Sequence, residues 1–212
     1  MMQWIAMITM LIDHIGAVFF PHIVELRIIG RIAFPIYAFA IYIGYTHTRD
    51  VQKYIWRLFW IAVISQLPFM AAFNHFSLNV VWTLWSALLV LLALDKLPSR
   101  LLGILIAVGA GIIMEYTHMD YGMYGLLLVL LFRYFNGPVL VMAHVLLNGL
   151  YLLLHHSSLQ MYSVLATTGI AIAQYYQAGF RLRGPRWVWR YFYPAHLAII
   201  AVIRWLPQVY IS

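Results

Sequence analysis

Asp13 and His14 stand side by side inside an otherwise oily run, MLIDHIGAVFFP (residues 10–21). Holding one ionisable side chain in hydrocarbon costs about 2.5–3.5 kcal/mol or more, so a pair of them demands a purpose. Neighbours on a helix point about 100° apart, so the two side chains must serve different partners. Arg27 and Arg31 open the next apolar run, four residues apart and therefore on one helical face. A buried Asp stays charged only beside a cation or several donors, and Arg31 is the expected partner of Asp13. Taken alone, that pair is a plain staple between two helices. It leaves His14 free to face the interior, where a neutral imidazole is the usual proton acceptor near pH 7.

Further polar side chains fall at compatible depths. Gln66 in RLFWIAVISQLPF and Asn148 are read first as interhelical hydrogen-bonding groups. Glu115, His118, Asp120 and Tyr121 cluster in EYTHMDYG, in the middle or outer half of the layer. His144 and His196 are placed in the inner half, His196 about six residues inside the boundary of its run. His22, His47, His75, His155 and His156 lie at loop edges and read as solvated interfacial residues. Four guanidiniums crowd RLRGPRWVWR: Arg181, Arg183, Arg186 and Arg190. They match the phosphates of a cytosolic ligand bidentately, and they match anionic lipid headgroups equally well. With no Cys in the chain, thiol catalysis and disulfides are excluded.

The elements that position these residues must be membrane helices. Of the 212 residues, 65% are hydrophobic and 9% charged, too few charges to cover a water-facing surface. Nine apolar runs follow one another, over 3–20, 28–46, 54–73, 79–94, 101–117, 121–135, 139–155, 159–178 and 191–206. Most are close to the length that crosses about 30 Å of hydrocarbon as a helix. The fold expected is an all-α, polytopic transmembrane bundle forming a single domain over 1–212, with short connections and antiparallel neighbours. No internal repeat, low-complexity segment or removable signal peptide is expected. Lys and Arg concentrate at alternate connections, which puts the N-terminus in the cytoplasm and, with nine crossings, the C-terminus outside. Aromatic clusters such as YIWRLFW and WVWRYFY form an interfacial belt and carry no sign of a cofactor.

Read together, MLIDHIGAVFFP, RIIGRIAFPIYAFAIYIGYTHTRD, KYIWRLFWIAVISQLPF, MDYGMYG and YFYPAHL resemble, in this order, the TraX family of membrane proteins. More distantly, the opening is similar to membrane acetyltransferases that acetylate glucosamine ends or cell-surface sugars. The resemblance implies an acetyl-CoA-dependent N-acetyltransferase of the bacterial cytoplasmic (inner) membrane, in the type case acting on the N-terminal amine of pilin. A shared fold does not by itself fix a substrate. By position, the family's motif residues here are Asp13, His14, Arg31, Phe34, Pro35, Arg57, Gln66, Asp120, Tyr121 and His196.

The mechanism expected from these residues has acetyl-CoA docking its phosphates on Arg181, Arg183, Arg186 or Arg190. His14 then removes the amine proton directly or carries the acetyl group itself. Asp13 with Arg31 orients the second helix against the first, and His196 meets the thioester or pantetheine. Gln66, Asp120, Tyr121, Asn148 and His144 are expected as a substrate or polar network, and the acceptor, a peptide amine or an amino sugar, is expected to enter from the external or membrane side. The other expected partner is the lipid bilayer; neither a metal nor a nucleic acid is expected, and the oligomeric state is left open. The rival from another class is a proton-coupled transporter, in which Asp and His relay protons. Such proteins usually carry internal repeats and broken helix pairs, which this sequence lacks.

Overall fold

Over the residues that the computed structural model describes, 2–176 and 186–209, each apolar run of the sequence is mainly helical. Only helices satisfy all backbone groups within one segment, and in hydrocarbon no water can do so instead. The helices are α1 (Met2–Phe19), α2 (Val24–Gly30), α3 (Ala33–His47), α4 (Val51–Phe73), α5 (Val80–Lys96) and α6 (Arg100–Tyr116). They are followed by α7 (Gly122–Tyr134), α8 (Gly137–His155), a 3-10 turn (Ser158–Ser163), α9 (Val164–Tyr175) and α10 (Arg186–Val209). The described residues hold no strand, only an isolated bridge between Leu78 and Met119. Four segments are long and apolar enough to cross a membrane: Met2–Phe19, Val24–His47, Val51–Phe73 and Gly137–His155. Gly122–Tyr134 is a shorter apolar helix. The nine crossings and the cytoplasmic N-terminus rest on the sequence pattern and the basic residues.

Local chemistry fixes several helix starts. Asp50 accepts from the Lys53 N–H at 2.9 Å and Asn79 from the Val81 N–H at 3.0 Å, capping α4 and α5. Two boundaries differ from those expected. The second run begins at Val24 and is interrupted at Arg31 and Ile32, so it consists of α2 and α3. The last helix begins at Arg186, which places His196 ten residues, roughly 15 Å, along it. His196 therefore lies further along its helix than the six residues expected.

The core is one cluster of buried aliphatic and aromatic side chains from α1 and α3–α10. Helix α10 packs along α4, and α1 packs on α2. Glycine permits the second of these contacts. A Cβ at Gly30 would fall inside the Asp13 carboxylate, and one at Gly16 would lie 2.6 Å from Leu26 Cβ. Small residues at a helix crossing let the backbones approach, and here they leave room for a charged group.

Candidate functional site

A cavity of about 870 Å³ runs the length of α4, within the ~300–1,000 Å³ common for small-molecule sites. One end is lined by His47, Thr48, Arg57 and Arg190, the other by Arg27, His75, Ser77 and Asp120. Asp13 and His14 lie between them on α1.

At this middle level two separate constellations meet. The Asp13 carboxylate is held by two guanidiniums: Oδ2 accepts from Arg27 Nη1 at 2.8 Å and Oδ1 from Arg31 Nη2 at 3.0 Å. Arg27 also donates to the Asp13 carbonyl, at 3.1 Å. Arg31 is bonded throughout, from Nε to the Arg27 carbonyl and from Nη1 to the Tyr121 hydroxyl and Gln160 Oε1. Tyr121 in turn stacks on Phe34, with ring centroids 3.8 Å apart. The Asp13–Arg31 pair foreseen from spacing is present, with Arg27 as a second cation. Arg27 was visible as the residue sharing a face with Arg31, but its side chain had no assigned partner.

His14 turns away from that cluster. Its Nδ1 lies 2.8 Å from His196 Nε2, and His196 Nδ1 lies 2.6 Å from the Phe192 carbonyl. A carbonyl only accepts, so His196 carries its proton on Nδ1 and its Nε2 accepts. His14 must then donate from Nδ1, which leaves its Nε2 lone pair free of any partner among the described residues. The edges of Phe73 and Tyr193 pack around the ring. His14 is thus an oriented imidazole with one basic nitrogen to spare. His196 reaches His14 where α10 packs on α1.

Asp120 lies in the connection between α6 and α7 and lines the same cavity. Burial pushes its carboxyl up to about 6, against the Arg31 guanidinium, which pulls it down. A raised carboxyl favours the neutral form in the fold, so stability is lost as the pH rises from the ordinary carboxyl range to about 6, and the loss is complete above that. Asp120→Asn should therefore be more stable than the parent at neutral pH, by an amount on the order of 1–3 kcal/mol, and unfold at a higher temperature. The gain should shrink as the pH falls through 6 and vanish below the ordinary carboxyl range, where Asp120 is neutral in both states. Thermal unfolding across that range checks it; a variant less stable at neutral pH would make Asp120 a structural support.

Three expected network residues lie elsewhere. Gln66 is fully occupied between α4 and the start of α5: its Oε1 accepts from the Asn79 N–H, Asn79 Nδ2 and Trp82 Nε1, and its Nε2 donates to the Ser77 carbonyl. His144 is fully buried, bonded to the Tyr124 hydroxyl and to Thr167 Oγ1, both at 2.8 Å. Asn148 joins the same group through Tyr124 and Ser163. These side chains tie α7, α8 and α9 together and do not line the cavity. Of the basic cluster, Arg190 lines the cavity, beside Trp189 stacked on Tyr37 at 4.8 Å. Arg181 and Arg183 lie outside the described residues, as does the side chain of Arg186. Arg57, at the same end, packs over the Tyr54 ring at 4.9 Å.

A family model described as TraX protein matches residues 1–204. A protein of Dichelobacter nodosus described as "Probable fimbrial assembly protein FimC, serogroup H1" is 29% identical over 235 residues, spanning 96% of this chain and 94% of its own length. No solved structure matches the chain.

Proposed function

Because the chain belongs to the TraX family, we propose that it is a membrane acetyltransferase, moving an acetyl group from cytosolic acetyl-CoA to an amine, on a peptide N-terminus or an amino sugar. The fimbrial assembly role named for its relative makes a fimbrial or pilin subunit the natural peptide acceptor, at the bacterial inner membrane. One observation carries this reading above the others. The imidazole of His14, with one nitrogen fixed by His196 and the other free, stands on the wall of a cavity long enough to admit donor and acceptor from opposite ends.

His14 Nε2 takes the proton from the attacking amine as the new C–N bond forms and the thioester C–S bond breaks. The same nitrogen then returns the proton to the leaving thiolate. This is general base then general acid catalysis by one group. His196 is a positioning residue: it accepts from His14 Nδ1–H, which holds the ring in the useful tautomer and steadies the imidazolium. Asp13, Arg27 and Arg31 hold α1 against α2 and so set the depth of His14. The cavity is large enough for a pantetheine arm, and Arg190 with Arg57 supplies cations at the end expected to face the cytoplasm. Guanidiniums there suit the phosphates of coenzyme A.

Purified protein in liposomes should release free thiol from acetyl-CoA and form acetylated amine in the same stoichiometry. A proton-coupled transporter would do neither, and that result would discard the reading. Donor docking has its own test. Arg190→Ala should raise the KM for acetyl-CoA roughly ten- to a hundred-fold, the effect of one charge-assisted contact, and kcat should change less. The defect should be smaller for acetyl-pantetheine, which lacks the pyrophosphate and 3′-phosphate. Equal defects for both donors would reject docking at this end.

A further inference from the structure

The acidic side chains of this chain are, with two exceptions, occupied by the protein itself. Asp13 is held by two guanidiniums, Asp50 by Lys53, Asp95 by Tyr45 and Arg133, and Glu115 by the Met123 N–H. Glu25 is exposed on α2. Asp120 is different: it lines the cavity, yet its carboxylate leans only on the Tyr121 backbone N–H and has no other hydrogen-bond partner among the described residues. A carboxylate accepts at about four lone-pair positions, so most of its capacity is unused. Arg31 lies near enough to draw on its charge, but the hydrogen bonds of Arg31 go to Asp13, Tyr121, Gln160 and the Arg27 carbonyl, and those of Arg27 Nη1 go to Asp13.

The backbone at Asp120 is held from two sides. The Asp120 N–H donates to the Leu78 carbonyl at 2.8 Å, and the Asp120 carbonyl accepts from the Thr83 hydroxyl. Leu78 N–H donates to the His118 carbonyl at 3.1 Å, completing the bridge between the two connections. The next residue, Tyr121, has φ +65°, a left-handed conformation that is rare for a bulky side chain. Strain of this kind persists where the surroundings over-determine it, and it gathers at ligand sites.

We propose that Asp120 is the acceptor-recognition residue, its carboxylate receiving the protonated amine and so selecting ammonium-bearing acceptors over hydroxyl-bearing ones of the same shape. The word acceptor rests on the acetyltransferase reading; the ammonium site does not. An ammonium offers three charged donors to a carboxylate, whereas a hydroxyl offers one neutral donor. Asp120 and His14 line one cavity, so an ammonium held by the first gives one proton up to water, and the neutral amine then gives its second to His14 as the C–N bond forms.

Glycinamide and glycolamide are matched in size, and only glycinamide is a cation at neutral pH. Saturation-transfer NMR titrations would compare them on the full chain in nanodiscs of neutral lipid. Glycinamide should bind at least about tenfold more tightly, as one charge-assisted contact allows. Asp120→Asn and Asp120→Ser should abolish the preference, and Asp120→Glu should keep it. Equal binding of the two compounds by the parent chain, or a preference that survives in Asp120→Asn, would overturn the proposal. Acetyl transfer from acetyl-CoA to glycinamide is measured separately. Its absence beside an Asp120-dependent preference would remove the enzymatic reading and leave the ammonium site standing. Transfer without any preference would do the reverse.

Discussion

Replacing His14 with Ala should cut acetyl transfer about 10²- to 10⁴-fold, the contribution usual for a positioned acid–base group. The protein should remain inserted and folded, because the Asp13 cluster holds α1 and α2 together without His14. His14→Gln, which keeps a polar side chain toward His196, should lose as much activity as the alanine variant, since an amide cannot exchange the proton. His196→Ala should be milder. It removes the acceptor that fixes the His14 tautomer but leaves the base in place, so kcat should fall with little change in either KM, and the pH–rate profile should move. A His196 variant with a parental profile would deny it the positioning role. Near-parental transfer by His14→Ala would remove His14 from the mechanism altogether.

Asp13→Asn should produce the largest loss of stability among single substitutions in the site, about 3–5 kcal/mol, because two guanidiniums are left uncompensated. The two cations should not contribute equally. The Arg31 side chain is 12% exposed and Arg27 28%, so Arg31→Met should be the more destabilising of the two. In a double-mutant cycle, Asp13→Asn with Arg31→Met should lose less than the sum of the single changes, with a coupling energy of about 0.5–3 kcal/mol. Unfolding by denaturant in detergent gives these values. Strict additivity would mean that the two residues do not interact.

The all-helical class and the place of nearly every helix were legible in the sequence, since runs of about seventeen apolar residues allow no other backbone. The Asp13–Arg31 contact was legible for a related reason: two charges at similar depths in consecutive helices have few alternatives. The His14–His196 contact was not, being 182 residues apart in sequence. Setting the start of the last helix at 191 also made it too short, because WVWRY reads as an interfacial belt and is in fact the first turns of α10. The interruption at Arg31 was hidden because RIIGRIAF continues the apolar pattern without a Pro at the break. Gln66, His144 and Asn148 carried polarity at suitable depth but no sign of direction. Direction separates a cavity wall from an interhelical tie, and it depends on helix rotation, which an almost uniformly apolar helix does not encode.

The Asp13–Arg27–Arg31 cluster also bears on how the chain enters a bilayer. Through Arg31 the charged side chains are Asp13, Glu25, Arg27 and Arg31, two of each sign. Helix α1 released alone into lipid would carry Asp13 without a partner, at a cost of about 2.5–3.5 kcal/mol or more near the centre of the layer. The segment that follows would meet the same kind of penalty for Arg31. Entering together as a hairpin, with both guanidiniums already on the carboxylate, the pair presents a nearly neutral seam to the lipid. The first two segments should therefore enter as one unit, and Gly30, which makes room for the carboxylate, should be needed for that hairpin to close.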